Sequence, residues 1–295
     1  RGALQSSGRQ KVRQSNMNKT DIEWADYTWN PITGCLHGCK YCYARRITKR
    51  FEGRENIELA DLCPEDDNIV GSCLKIHELD EPLKYKAKSG KLINAPYPFG
   101  FDPTFHRYRL SEPQRKTRQK NIFVCSMADL FGELIPDKWI KEVFKACEAA
   151  PWHNYLFLTK NYLRASDFKF QKNWWIGKTI TNHENSRFFE GDPWSTNITE
   201  RANQFLSIEP IHGPIPDLPY YVHEYGFKWV IVGAETGSRK DKVIPKREWI
   251  EKIVKDCKLR NVPVFMKNSL TSIVGEKNML REFPDDLRRS KEAKP

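Results

Sequence analysis

The stretch Trp229-Val-Ile-Val-Gly-Ala-Glu235 joins a short apolar run to a glycine and a carboxylate. Four apolar residues of this kind are typical of a buried parallel strand. Five further runs have similar length and composition, at residues 122–125, 155–158, 174–176, 205–208 and 262–266. Helical spacing appears between several of them, most clearly from Asp137 and after Pro245. This alternation predicts an α/β fold with a parallel sheet and helices outside it.

Polar or ionisable residues follow all six runs. In chain order they include Ser126 and Asp129, Lys160, Thr179, Glu209, Glu235 and Lys267. Parallel strands end at one edge of a sheet, and that edge is where α/β proteins bind ligands. The pattern therefore predicts one site built from many strand ends. The alternative is that these residues are polar only because loops are polar.

The composition limits the class of protein. The chain has 295 residues, 12% of them aromatic, and a formal charge of +11. So many aromatic residues exclude a purely disordered chain. No run approaches the roughly 18 apolar residues that a membrane span needs. We expect no membrane association and a cytoplasmic location.

The chain divides into three parts by composition. Residues 1–16 contain four cations and no aromatic residue, and they predict a flexible leader or tag, without which the formal charge falls to +7. Residues 17–277 form the predicted domain, in which 54–120 are an irregular excursion with a helix near 78–88. Residues 278–295 are predicted to be a charged, solvated tail.

The most specific motif is Gly34-Cys35-Leu-His-Gly-Cys39-Lys-Tyr41-Cys42-Tyr43, a Cys-x3-Cys-x2-Cys run. Three thiolates on one loop can bind three irons of a 4Fe-4S cluster and leave the fourth iron open to a substrate or cofactor. A structural zinc site is the alternative, although zinc normally requires a fourth Cys or His, and His37 is too constrained within the loop to supply it.

This motif resembles the signature of the radical S-adenosylmethionine (radical SAM) superfamily, with Tyr41 at its aromatic position. Further motifs resemble an uncharacterised, phage-associated family of radical-SAM-like proteins. They are residues 21–24, 28–35, 105–106, 123–131, 158–160, 207–210, 230–237 and 265–267. The resemblance implies a partial, open TIM-like barrel of about six β/α units, of the radical SAM type. It also implies a 4Fe-4S cluster, S-adenosylmethionine (SAM) as cofactor and a low-potential electron donor of the flavodoxin or ferredoxin type.

The resemblance also suggests roles for the individual residues. Cys35, Cys39 and Cys42 would bind the cluster. The SAM-binding set would be Tyr41, Ser126, Asp129, Thr179 and Glu209, with Asp129 accepting from the methionyl ammonium. Lys160, Glu235 and Lys267 would be catalytic or bind an anionic group. The alternative for each strand-end residue is a structural ion pair.

Two weaker candidates remain. Cys63, Cys73 and His77 are three potential metal ligands at loose spacing, and the alternative is that they are ordinary loop residues. Residues 105–109 and 115–120 interleave cations with aromatic residues, a composition found in nucleic-acid-binding surfaces. A solvated basic surface is the alternative.

The resemblance thus implies a radical SAM enzyme that generates a 5'-deoxyadenosyl radical for hydrogen abstraction. A nucleic acid or nucleotide (DNA, RNA or a free nucleotide) is the preferred substrate class, because of the basic charge and the phage-associated resemblance. A peptide or small metabolite is the alternative substrate. From a different class, the chain could be a metal-stabilised nucleic-acid-binding module without catalysis. The oligomeric state is left open.

Overall fold

A computed structural model of the chain describes residues 16–51, 76–87, 89–186 and 202–288. The predicted leader lies outside these ranges apart from Asn16, and so do Cys63 and Cys73 of the second metal-site prediction. The remaining member of that prediction, His77, stacks on the Phe99 ring with centroids 3.6 Å apart.

The described residues form short strands and mostly short helices. In chain order the strands are β1 (Asn18–Lys19), β2 (Tyr27–Trp29), β3 (Ile32–Thr33), β4 (His77–Leu79), β5 (Lys84–Lys86), β6 (Leu92–Asn94), β7 (Thr104–His106), β8 (Asn121–Val124), β9 (Asn154–Thr159), β10 (Trp174–Ile180), β11 (Asn203–Ile208), β12 (Trp229–Val232) and β13 (Val264–Met266). The helices are α1 (Tyr43–Thr48), α2 (Asp137–Glu148), α3 (Tyr162–Ala165), α4 (His183–Ser186), α5 (Leu218–Glu224), α6 (Arg247–Leu259) and α7 (Thr271–Val274). In the described part of the chain, no helix is long and apolar enough to cross a membrane.

One large, mostly parallel sheet dominates the structure. Its eight strands lie in the order β1-β2-β8-β9-β10-β11-β12-β13. Every neighbouring pair is parallel except β1 and β2, which are antiparallel. The six strands predicted from the apolar runs are β8 to β13, and each lies beside its successor in the chain. Their carboxyl ends therefore share one edge of the sheet.

The predicted partial, open TIM-like barrel of about six β/α units is wrong. The fold is instead a mixed α/β structure around an eight-stranded sheet, and its edge strands β1 and β13 are not paired with each other within the described residues. The helices that follow β9, β10 and β13 have only four residues each. The sequence missed β1 and β2 because strands of two and three residues are too short to show a period.

The excursion at 54–120 also differs from the prediction where it is described. No helix forms within the described residues of 78–88, because Glu81-Pro82 separates two short strands, β4 and β5. Strand β4 pairs with β7, and β7 pairs with β3, in a second sheet of three strands. Strands β5 and β6 form an antiparallel pair. Strand β3 immediately precedes the cysteine loop in the chain, and its pairing with β7 places this region beside that loop.

Alternation along the strands separates two apolar clusters. Trp174 and Ile176 of β10 pack in the larger cluster, with helices α2 and α6, whereas Trp175 faces the smaller one. Side chains of neighbouring residues in a strand point to opposite faces, so both faces of this sheet are buried. The smaller cluster is largely aromatic, and Trp24, from the segment between β1 and β2, packs there 4.6 Å from the Phe123 ring.

Residues near the carboxyl end of the described chain pack against the sheet. Phe283 is 8% exposed and Leu287 is fully buried, and both belong to the smaller apolar cluster. The Asn121 side chain donates to the carbonyl of Leu287 at 2.7 Å. Residues 283–287 are therefore not part of a solvated tail, although composition placed them there. Burial of Phe283 and Leu287 places this otherwise charged segment against the sheet.

Replacing Leu287 tests this packing. Leu287→Ala removes a fully buried side chain from the aromatic cluster, so we expect the free energy of unfolding to fall by about 2–5 kcal/mol in urea titrations. Arg288→Ala is the control because that side chain is exposed. Equal unfolding midpoints for the two variants would show that this segment does not stabilise the sheet.

Candidate functional site

In the chain the cysteine loop follows β3, and its first residue lies beside the residues that follow β8. Gly34 forms a parallel bridge with Ala128, and its N–H donates to the carbonyl of Met127 at 2.9 Å. The φ angle of Gly34 is +87°, and a Cβ there would collide with the carbonyl of Asp102. Glycine is required at this position for both reasons. The loop is thus held between β8 and the segment before β7.

Helix α1 fixes the spacing of two of the cysteines. Cys42 is its N-cap residue, and the Cys42 sulfur accepts from the Arg45 N–H at 3.4 Å. The Arg45 guanidinium donates to the carbonyl of Cys35 at 3.3 Å and lies 4.8 Å from the centre of the Phe101 ring. The first turn of α1 therefore fixes the positions of Cys42 and Cys35 relative to each other.

The three cysteines are free, half-buried thiols. Burial raises the pKa of Cys35 to about 11, and the negative charges of Asp129, Cys39 and Cys42 add to this effect. Burial also raises the pKa of Tyr41, whose hydroxyl is hydrogen-bonded to Cys39. A group that binds thiolates must therefore displace a proton from Cys35 at neutral pH.

Asp129 connects the cysteine loop to the sheet. Its Oδ2 accepts from His37 Nε2 at 2.8 Å and from the Lys160 N–H at 2.9 Å. Its Oδ1 accepts from the Thr159 hydroxyl at 2.6 Å and from the Phe131 N–H at 3.1 Å. These bonds join the loop, the residues after β8 and the end of β9. All four are made to donors of the protein, so Asp129 positions the loop.

Electrostatics keeps Asp129 ionised. Burial alone would raise its pKa, but the hydrogen bond and charge of His37 lower it, together with the Lys160 N–H and the Thr159 hydroxyl. The net effect is a pKa below the ordinary value. Four hydrogen-bond donors stabilise the ionised form of this buried carboxylate, whereas burial of an unpaired carboxylate would cost free energy.

The structure brings all eleven predicted site residues around one cavity of ≈ 380 Å³. They are Cys35, Cys39, Tyr41, Cys42, Ser126, Asp129, Lys160, Thr179, Glu209, Glu235 and Lys267. Its volume falls within the range of small-molecule sites. The predicted strand-end residues therefore line one cavity, whereas their roles stay predictions.

Both glutamates on the cavity wall are paired with cations. Glu209 accepts from the Lys267 ammonium. Glu235 accepts two hydrogen bonds from Arg239, each of 2.8 Å, and lies 3.6 Å from His212. The Arg239 bonds, opposed by burial, lower the pKa of Glu235. Glu209, Glu235 and Lys267 therefore each form an ion pair within the protein, which is the alternative stated above for the strand-end residues.

The remaining predicted residues are less constrained. Lys160 is exposed, its ammonium lies 5.7 Å from the centre of the Tyr41 ring, and it forms no ion pair within the described residues. Thr179 of β10 is half-buried opposite Ser207 of β11. The Ser126 hydroxyl is hydrogen-bonded to Asn30 at 3.1 Å. Lys160 and Thr179 are therefore available to a ligand.

Sequence reasoning missed several residues of the site. His37 was considered only as a zinc ligand, yet it is the partner of Asp129. Arg239 pairs with Glu235 within a loop, where the four-residue spacing of a helix does not apply, so the sequence did not indicate this ion pair. The Tyr43 hydroxyl donates to the carbonyl of Ser126 and joins α1 to β8. No sequence signal points to this last contact.

Two observations bear on a bound metal. In the described ranges, no three His, Cys, Asp or Glu side chains are close enough together to hold a metal ion. The three thiols nevertheless line one cavity and influence each other electrostatically. Thiolates that each bind a different iron of a cluster do not share one coordination shell. Thiols are the donor type that iron–sulfur clusters use.

The basic segment at 105–109 is not a free binding surface. Arg107 forms ion pairs with Glu78 at 2.6 Å, Asp80 at 2.8 Å and Glu142 at 2.9 Å. Phe105 is fully buried, and Arg109 donates to the carbonyl of Asn30 at 2.9 Å. Composition does not reveal these partners because they lie far away in the chain. Arg107 and Arg109 are therefore engaged within the chain, whereas a nucleic-acid surface that includes residues 115–120 stays a prediction.

Asp129→Asn tests the connection between loop and sheet. The amide has one acceptor atom, so buried donors lose partners, at about 1–3 kcal/mol for each. The pKa of Asp129 is lowered in the folded chain, so its contribution is fully present above the unfolded pKa of about 3.9 and is lost as the pH falls through the folded pKa. We expect the stability difference between wild type and variant to shrink below about pH 4.

The control is Asp167→Asn at an exposed carboxylate. It should match wild type in chemical denaturation at every pH. A difference between wild type and Asp129→Asn that stays constant as the pH is lowered would contradict the role of the ionised carboxylate.

Comparison with known proteins gives a family but no activity. A search of curated proteins and a search of solved structures each found no match. The sequence model of the family described as "Protein of unknown function (DUF5131)" matches residues 19–278, which is most of the chain. The chain therefore belongs to the DUF5131 family.

Proposed function

We propose that this protein is a radical SAM enzyme in which Cys35, Cys39 and Cys42 bind three irons of a 4Fe-4S cluster. The observation that supports this most strongly is the shared cavity, which the three thiols of the Cys-x3-Cys-x2-Cys loop line together with polar residues from six strand ends. A structural metal loop has no need of such a cavity beside it. A cluster with an open iron requires one, because its ligand must reach that iron.

The cluster, when bound, supplies the electron that cleaves SAM to methionine and a 5'-deoxyadenosyl radical. The chain contributes position and exclusion of water. Trp24 and Phe123 form an apolar wall of the cavity, with Ile22 and Leu158 beside them. Such a wall limits the access of water to a reactive species.

The polar residues have distinct tasks in this proposal. Lys160 carries an ammonium without a carboxylate partner in the described chain, so it binds an anionic group such as the methionyl carboxylate. Thr179 and Ser207 offer hydroxyl groups to the ribose. Asp129 and Glu235 act as positioning residues, because their oxygens are already occupied by His37 and Arg239.

The proposal requires a low-potential electron donor of the flavodoxin or ferredoxin type. It also fits a reducing compartment such as the cytoplasm, since the cysteines of the described residues are free thiols. The alternative, a non-catalytic metal-stabilised module, explains the thiols but gives no role to Lys160 or to the cavity. A nucleic acid, a peptide and a small metabolite remain as substrate classes.

Anaerobic reconstitution tests the proposal. We expect wild-type protein to take up about four irons per chain and, with a strong reductant, to release 5'-deoxyadenosine from SAM. Cys35→Ala, Cys39→Ala and Cys42→Ala should each lose the intact cluster and the product. Iron analysis and chromatography of the nucleoside measure the two quantities separately.

Cys257→Ala is the matched control, because Cys257 is a fully buried thiol of α6 that does not line the cavity. It should retain both iron and product. Full iron content in Cys39→Ala would refute the cluster assignment. A wild-type cluster that yields no 5'-deoxyadenosine with any reductant would instead favour the non-catalytic module.

A further inference from the structure

Most of the net charge of the chain belongs to two segments. Residues 40–50 contain five cations and no carboxylate, and residues 236–242 contain three cations and one carboxylate. Together they have a formal charge of +7, against +11 for the whole chain. The first segment includes α1, and the second lies in the loop between β12 and α6. Both contain residues that line the cavity, among them Tyr43 and Thr236.

The two segments are in contact. The Arg46 guanidinium donates to the carbonyl of Thr236 at 3.0 Å and occupies the space above Gly237, where a Cβ would collide with it. The Lys242 ammonium donates to the carbonyl of Gly237 at 3.1 Å. We call the surface formed by residues 40–50 and 236–242 the basic face. Tyr43 and Thr236 of the basic face line the cavity.

Several cations of the basic face have no carboxylate partner. Arg239 is paired with Glu235 and with Asp241 at 2.7 Å. In contrast, Lys49, Arg50 and Lys240 are exposed and form no ion pair with any residue in the described ranges. Like charges that are left together without partners repel one another, so an anionic ligand would relieve them.

Two aromatic residues belong to the same stretch of chain as Lys49 and Arg50. Tyr43, in the first turn of α1, is 41% exposed and lines the cavity. Phe51 follows Arg50 and lies 5.4 Å from the Tyr97 ring. Cations beside exposed rings form surfaces that bind phosphates and stack bases of single strands. An acidic protein partner would interact with the charges but would have no need of an aromatic ring that lines the cavity.

We propose that the basic face binds the phosphate backbone of a single-stranded nucleic acid, whose reacting nucleotide enters the cavity. This inference rests on the proposed function, which it extends by naming the substrate class. Enzymes that act on a nucleotide need it unpaired or extruded from a duplex, and a cavity beside a charged surface meets that need. The relevant cations are those of α1 and the β12–α6 loop, since Arg107 is held by three carboxylates.

The test is the binding of a mixed-sequence, fluorescently labelled single-stranded oligonucleotide, as DNA and as RNA, at several salt concentrations. The triple variant Lys49→Gln, Arg50→Gln, Lys240→Gln should bind at least about tenfold more weakly than wild type at moderate salt. Its plot of log affinity against log salt should be shallower by about 2, because each lost phosphate contact removes about 0.7 from the slope.

A control variant removes the same charge elsewhere. Lys141→Gln, Lys145→Gln and Lys258→Gln lie on exposed positions of α2 and α6. This variant should keep the affinity and the salt slope of wild type. Equal binding by both variants would overturn the inference, and so would wild-type binding that does not depend on salt.

Two other outcomes separate this inference from competing accounts. Normal oligonucleotide binding by the triple variant, combined with slower reduction by a flavodoxin, would overturn the inference and assign the face to an electron donor. Iron content and 5'-deoxyadenosine are measured independently of binding. Their absence, with binding that still requires the basic face, would overturn the enzyme proposal and leave the binding surface supported.

Discussion

The buried carboxylate of Asp129 is the interaction on which the site depends. It accepts hydrogen bonds from His37 in the cysteine loop and from Thr159 and Lys160 at the end of β9. A loop with two glycines and three cysteines has little regular structure to fix it, so its position must come from contacts with the sheet. One ionised side chain supplies several of them at once. The cavity exists because the loop is held above the strand ends in this way.

Carboxylates and cations at this edge of the sheet pair with each other. Glu209 is paired with Lys267, and Glu235 with Arg239, so the cavity wall contains carboxylates without a large unpaired charge. Buried or half-buried carboxylates are tolerated only with such partners. What remains for a ligand are thiols, hydroxyl groups and the ammonium of Lys160. The excess positive charge lies outside the cavity, on the surface that α1 and the β12–α6 loop share.

The sequence predicted the strand ends well because alternating apolar runs and polar ends have one geometric consequence in a parallel sheet. It could not predict which polar groups pair, since Lys267 and Glu209 are 58 residues apart and Arg107 finds its carboxylates on other elements. Short strands such as β1 show no period and were missed, and the barrel that the resemblance implied was the wrong architecture. Phe283 and Leu287 are isolated apolar residues among charges, and only tertiary contact reveals their burial.

The central claim is that three cysteines of one loop leave an iron open to SAM. Mössbauer spectroscopy of anaerobically reconstituted, isotopically enriched protein, recorded before and after addition of SAM, tests it most directly. The account predicts the spectrum of a 4Fe-4S cluster in which one iron of the four changes when SAM is added. A spectrum of isolated iron ions, or a cluster whose four irons are all unaffected by SAM, would contradict it.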